Sequence, residues 1–485
     1  MRIAFSRICL ILALLPPTAW LHADEQSKRP NIVFIYTDDQ SFNTIASLGH
    51  PIVKTPNFDR LAQEGIAFTN AYNQGGWHGA ICVASRSMIN SGRFLWNARR
   101  RVEEDLRSEK QGGLKQSERK LAEAEFWSQL LKKDGYTTYF TGKWHVSVPV
   151  RNLFDYVDLV RGGMPPTVES SYNRPVDGED DVWSPFDPQF KGHWGEDGKH
   201  WAESLADSAV SFIKDASKRD DPFFMYLAFN SPHDPRQAPK EYVDQYPQEK
   251  MDVPANFLPE NPYKEMMGCT ADLRDEKLAP FPRTEYAVRV HRREYYAIIS
   301  HLDTQIGRIL DALAKSGKKE NTYIFLAADN GLAIGAHGLF GKQNLFEHSV
   351  KVPLLVAGPG LPKNQRIAEP VYLQDIVPTS LDVAEIDTPK HVQFKSLLPL
   401  IRGEEQRHYD AIYGAYMMLQ RMVRKDDFKL IVYPEKNIRL LFDLKNDPNE
   451  INNLADKPEY TAKVQELLVE LTKLQKETGD ELLTL

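Results

Sequence analysis

The sequence has 485 residues, 42% of them hydrophobic and 26% charged, a composition that excludes a disordered or low-complexity chain. A formal net charge of −7 excludes nucleic acid as the main partner, because phosphate backbones are bound by basic surfaces. Any anionic ligand must meet a local cluster of positive charge.

The chain opens on a short basic stretch ending at Arg7, an apolar run from Ile8 to Leu15, Pro16-Pro17, and an Ala23 end. That is the layout of a secretory signal peptide over residues 1–23, with cleavage near Ala23 and a periplasmic or secreted product. The apolar run is far shorter than the roughly 20 residues of a spanning helix, so no stable membrane insertion is expected. Cys9 sits too early to be a lipid-attachment cysteine. Cleavage leaves Cys82 and Cys269. A chain this long builds its own core without a disulfide staple, which frees at least one of them for chemistry.

Residues 31–37, NIVFIYT, read as a buried parallel strand, followed by a helix with Thr55 as N-cap, Pro56 at its first position and Gly65 at its end. A helix from about Glu118 to Lys133 leads into YTTYFT, and SLADSAVSFIKDA leads into FFMYLAF at Phe223 to Phe229. A long helix over about Tyr286 to Ala314 leads into TYIFLAA, Thr322 to Ala328. The alternation predicts an α/β fold with a large, mostly parallel sheet sandwiched by helices, over about residues 24–395. Between Arg161 and His200 the chain turns loop-like, which for a stretch of that length points to function or mobility. Residues 396–485 give two strand-like runs, RMVRKDDFKLIVYPEK and RLLFDLKNDPNEINNLA, then a helix over about Glu459 to Glu477. This predicts a smaller subdomain with an antiparallel sheet and a helix.

Polar clusters follow four of the strands: Asp38-Asp39, Gly142-Lys143-Trp144-His145, Ser231-Pro232-His233 and Asp329-Asn330-Gly331. Ligands of open α/β sheets bind outside the carboxyl ends of the strands. Singly, each cluster reads equally well as turn or capping chemistry. Together they offer three carboxylates and an amide oxygen, the hard donors suited to calcium or magnesium.

A fifth element, Cys82-Val83-Ala84-Ser85-Arg86, resembles the signature of the type I sulfatases of the alkaline phosphatase superfamily. The resemblance extends through Asp38-Asp39, TPNFDRLAQEG, GKWH, SPH, AADNG, GLFGKQNLFEHSVKVP and LFDLKNDPNEINNLA in the family's order. Ala84 stands where animal members usually carry Pro, as in the bacterial form. The resemblance implies that a maturation enzyme oxidises Cys82 to formylglycine, whose hydrated diol attacks sulfur and then expels sulfate by re-forming the aldehyde. It further implies one metal ion held by Asp38, Asp39, Asp329 and Asn330 with the modified Cys82. Three negative charges favour Ca2+ over Mg2+. By the same likeness Arg86 orients the formylglycine, Lys143 and Lys342 bind sulfate, His145 is the base toward the diol, and His233 donates a proton to the leaving alcohol. Trp77, His78, Asp234, Arg236 and His337 are candidates for holding the rest of the substrate, expected to be a sulfated carbohydrate met outside the cell. The alternatives are a phosphomonoester or phosphonate hydrolase of the same superfamily, and a non-catalytic carbohydrate-binding relative.

Overall fold

The computed structural model describes residues 29–110 and 125–482. The expected leader lies outside the described residues, as does the first part of the helix expected from Glu118, whose described portion is Trp127–Lys133.

In chain order the strands begin with β1 (Asn31–Thr37), β2 (Ile66–Tyr72), the two-residue β3 (Gly75–Gly76), β4 (Thr137–Lys143) and β5 (Tyr156–Arg161). They continue with β6 (Phe223–Ala228), β7 (Thr322–Ala328), β8 (Lys351–Ala357), β9 (Gln365–Ile367) and β10 (Val371–Tyr372). The large sheet has the order β10-β2-β8-β7-β1-β6-β4-β5, with β9 beside β2. Its strands run parallel except β8, which pairs antiparallel with both β7 and β2. Every residue of β1 is buried, because successive side chains enter different cores. Val33 and Ile35 pack with helices Trp201–Ala216 and Glu285–Lys315, whereas Ile32, Phe34 and Tyr36 pack with Trp127, Leu131 and Ile376. Burial on both faces is the reason such a strand reads as an unbroken apolar run.

Thr55 does precede helix Pro56–Glu64, but its hydroxyl accepts from Ala46 N at 2.8 Å and does not cap the helix. The free amides of Asn57 and Phe58 donate instead to the carboxylate of Asp303, at 3.0 and 2.7 Å.

The second sheet contains β11 (Ile412–Tyr416), β12 (Gln420–Lys425), β13 (Phe428–Tyr433) and β14 (Ile438–Asp443), in the order β14-β13-β12-β11-β3. The expectation of one strand over RMVRKDDFKLIVYPEK is corrected: the stretch is a hairpin turning at Asp426-Asp427, with Asp426 in left-handed backbone at φ 53°. An Asp there tolerates the left-handed turn that a two-residue hairpin loop demands. The last helix is Thr461–Thr478. Strand β3 ties this sheet to the segment that leads to Cys82, and Gly75 makes the tie possible. Its φ is 85°, and a β-carbon there would lie 2.1 Å from the carbonyl oxygen of Ala415.

A buried ionic cluster fastens the two sheets together. Lys429 Nζ lies 3.0 Å from Glu347 and 2.8 Å from Glu450, while the Tyr72 hydroxyl donates to Glu347 at 2.7 Å and accepts from Arg424.

Candidate active site

Strands β7, β1, β6 and β4 are adjacent in the sheet, so their carboxyl ends share one edge. That adjacency brings together Asp329-Asn330, Asp38-Asp39, His233 and Lys143-His145. Gly142 allows β4 to bulge at this point: its φ is 109°, and a β-carbon would meet the carbonyl oxygen of Ala228 at 1.9 Å. Asp39 and His145 also hold left-handed backbone, at φ 65° and 54°. Conformations that costly for residues with side chains concentrate at functional sites.

Helix Ile81–Ser91 starts beside these strand ends, with Cys82 at its second position, and Gly92 ends it in left-handed backbone. The first turn therefore offers amide donors and the positive end of the helix dipole where residue 82 stands. Cys82 Sγ lies 3.2 Å from His145 Nδ1. Arg86, one turn on, is fully buried. It donates from Nε to Asp329 at 3.1 Å and from Nη1 to the carbonyl of Lys143 at 2.9 Å, with its guanidinium 4.7 Å from the Tyr36 ring centroid. Lys143 Nζ pairs with Asp38 at 2.6 Å and Lys342 Nζ with Asp39 at 2.5 Å.

Three cations thus face three carboxylates, all buried. Burial pushes Asp38 well up and Asp39 up to about 6, whereas Arg86, Lys143 and Lys342 hold Asp329 low against the same burial. Burial, with Lys143 and Arg86 adding to it, lowers His145 to about 3 and leaves its imidazole neutral. Burial likewise drives His233 well down, helped by Lys342 and Lys143. His233 Nδ1 donates to the carbonyl of Asp234 at 2.7 Å, which fixes the tautomer and leaves Nε2 on the site side, 3.6 Å from Asp39.

The donor set fits a hard divalent cation. Asp38 Oδ1, Asp39 Oδ2 and Asn330 Oδ1 are buried without a hydrogen-bond partner, a costly state that coordination relieves. Ligand atoms of Asp38, Asp329 and Cys82 lie within 4.8 Å of one another. With the protein charges already balanced, a divalent ion would give the centre the net positive charge that an anionic ester requires.

Above Cys82 opens a cavity of about 220 Å³, with Cys82, His145, His233 and Lys342 on its inner side. From the long stretch expected to matter between Arg161 and His200, Gly163 and Met164 reach this cavity. A β-carbon at Gly163 would lie 2.5 Å from the His145 ring, so bare backbone packs on the imidazole.

The five residues expected to hold the rest of the substrate do not line this cavity. Trp77 packs against the core beneath the second sheet, and exposed His78 accepts from Ala80 N at 3.0 Å. Asp234 and Arg236 are buried beside His233, Arg236 donating to His291 at 2.9 Å. His337 stacks on Phe346 with ring centroids 3.9 Å apart. The wall opposite instead carries Leu273, Arg274 and Asp275, from a stretch where the sequence shows no periodicity and no motif, and Gln343, which follows Lys342 in the GLFGKQNLFEHSVKVP run.

Comparison with known proteins agrees with this geometry. The family model described as Sulfatase matches residues 30–386, and that described as N-sulphoglucosamine sulphohydrolase, C-terminal, matches 335–477. An arylsulfatase of Clostridium perfringens is 30% identical, covering 90% of this chain and 93% of its own. An N-acetylglucosamine-6-O-sulfatase of Bacteroides thetaiotaomicron is 26% identical, covering 94% and 88%. The solved phosphonate monoester hydrolase of Agrobacterium radiobacter shares the fold at a TM-score of 0.71 and 20% identity, covering 93% of this chain and 96% of that one.

Proposed function

This chain belongs to the sulfatase family, enzymes that hydrolyse sulfate esters, and from that premise we propose that it releases sulfate from a sulfated carbohydrate with Cys82, oxidised to formylglycine, as the nucleophile. The observation that carries the reading is the setting of Cys82: the first turn of a helix, the floor of a cavity, and a neutral histidine 3.2 Å from its sulfur. The donors Asp38, Asp39, Asp329 and Asn330, with residue 82, suit Ca2+, which when bound supplies Lewis acidity and charge neutralisation.

The chain's own groups divide the remaining work. Lys143 and Lys342, held in place by Asp38 and Asp39, steady the sulfate oxygens. Arg86 locks Asp329 and the carbonyl of Lys143 into one frame around residue 82. His145, kept neutral, accepts a proton from a hydroxyl at position 82. His233, its tautomer fixed by the Asp234 carbonyl, serves the leaving oxygen through Nε2.

The relative named N-acetylglucosamine-6-O-sulfatase supports a carbohydrate substrate, and a cavity of about 220 Å³ suits one sugar at a chain end better than a polymer segment. The basic-then-apolar layout of residues 1–23 supports reading them as a leader for export to the periplasm or outside the cell, which sequencing of the mature N-terminus near Asp24 tests. A phosphonate or phosphate ester hydrolase is the second reading, favoured by the shared fold. Sulfate release from sulfated mono- and oligosaccharides, set beside paired aryl sulfate and aryl phosphate substrates, separates the two. A higher rate on the phosphate of the pair would overturn the sulfatase reading. Failure of every sulfated sugar to outperform the aryl sulfate at low concentration would remove the carbohydrate alone.

A further inference from the structure

The excursion from Arg161 to His200 touches both histidines of the site. Near its start, bare backbone at Gly163 packs on the His145 ring. Near its close, His193 Nε2 donates to the carbonyl of His233 at 2.9 Å. A carbonyl only accepts, so the proton of this fully buried imidazole stands on Nε2.

His193 is itself held on every side. The residue before it, Gly192, has φ 77°, and a β-carbon there would lie 2.1 Å from Gln237 Oε1 and 2.6 Å from Pro235 Cγ, so the chain passes this close to the His233 turn only as glycine. The His193 amide donates to Gln237 Oε1 at 2.9 Å, its carbonyl accepts from Trp201 N at 2.8 Å, and its ring stacks on His200 with centroids 5.2 Å apart.

The turn that carries His233 needs such a tie, because Pro232 and Pro235 stand on either side of the histidine and have no amide hydrogen to give. Ser231 O accepts from Asp38 N at 3.1 Å, His233 N donates to Asn230 O at 3.0 Å, and Asp234 O accepts from the His233 ring at 2.7 Å. The carbonyl of His233 is met from outside, by His193. A rotation of the peptide it belongs to would move the Asp234 carbonyl, and with it the imidazole that this carbonyl holds.

Resting on the reading of His233 as the group that serves the leaving oxygen, we infer that His193 is a positioning residue for this reaction: by gripping the His233 carbonyl it aims His233 Nε2 at the oxygen that departs from sulfur. His193 does not line the cavity and acts only through His233.

The test compares, in the aldehyde-bearing enzyme, two aryl esters whose leaving groups differ in their need of a proton: phenyl sulfate and nitrophenyl sulfate. The ratio of kcat/KM on the first to that on the second reads proton delivery to the leaving oxygen. Both rates come from one preparation, so partial misfolding does not move the ratio. His233→Ala is expected to lower it, and His193→Leu to lower it by about tenfold, the scale of one ordering hydrogen bond. His193→Gln returns an N–H at nearly the reach of Nε2 and is expected to restore most of the ratio. Added to His233→Ala, His193→Leu is expected to change the ratio no further. A ratio lowered in His233→Ala but not in His193→Leu overturns the inference alone, as does a further drop in the double variant or a His193→Gln ratio as low as that of the leucine variant. A ratio unmoved in His233→Ala removes His233 from the leaving-group side, and the inference with it. Absence of turnover on both esters in the wild type would remove the sulfatase reading itself.

Discussion

At the residue scale, the site sets three cations against three buried carboxylates, so each partner's removal has a sign. Lys342→Ala strips a positive group from the cavity and leaves Asp39 buried beside His233. Its kcat is expected to fall on the order of a hundredfold or more, measured on an aryl sulfate with folding checked by circular dichroism. Arg86→Met acts on stability too. It leaves the Asp329 carboxylate without its guanidinium, and loss of one partner of a buried pair costs about 3–5 kcal/mol, readable as a lower denaturation midpoint. His233 acts differently again, because a good leaving group needs no proton. His233→Ala is expected to damage sugar desulfation far more than aryl sulfate hydrolysis. Equal damage to both would remove His233 from the leaving-group side.

At the element scale, the linkage between the two sheets is electrostatic as well as apolar. Lys429 stands between Glu347 and Glu450, all three buried. Lys429→Met leaves two carboxylates without their cation and is expected to cost about 3–5 kcal/mol in chemical denaturation. Burial raises Glu450 up to about 7, although Lys429 opposes the rise and the Glu347 charge adds to it. The folded chain therefore holds a proton there that the unfolded chain releases in the ordinary carboxylate range. The stability contributed by that proton is fully present below that range and is lost as pH rises through about 7. Glu450→Gln removes the titration, so its stability is expected to fall less than wild type between about pH 5 and 8. An identical slope in the two proteins would contradict the assignment.

At the scale of the whole molecule, a site assembled from the ends of four strands is held by the fold and by whatever its oxygens bind. Chelation is expected to abolish turnover and lower the melting temperature, with Ca2+ restoring both more fully than Mg2+. An ion at a thousand times its dissociation constant adds about 4 kcal/mol. Much of this arrangement was legible in the sequence. Parallel strands buried on both faces write themselves as near-continuous apolar runs, and Asp38 and Asp329 each follow one directly, with His233 a few residues beyond another. What escaped had physical reasons. The direction of β8 is set by its neighbours β2 and β7, and a run such as KVPLLVA carries no mark of direction. Arg274 and Asp275 come from a stretch without periodicity, carried to the cavity by long-range packing. Trp77 and His337 lie off the cavity in packing contacts, and a sequence does not separate the two uses, because aromatic and imidazole rings serve binding and packing alike. The central claim, that Cys82 must become an aldehyde for sulfate esters to be cleaved, meets its most direct test in one paired measurement. The protein is produced with and without a formylglycine-generating enzyme, the peptide containing Cys82 is weighed, and sulfate release is assayed on the same samples. Activity is expected to rise in proportion to the aldehyde fraction and to vanish with it; full activity in a sample whose peptide still carries the thiol would contradict the account.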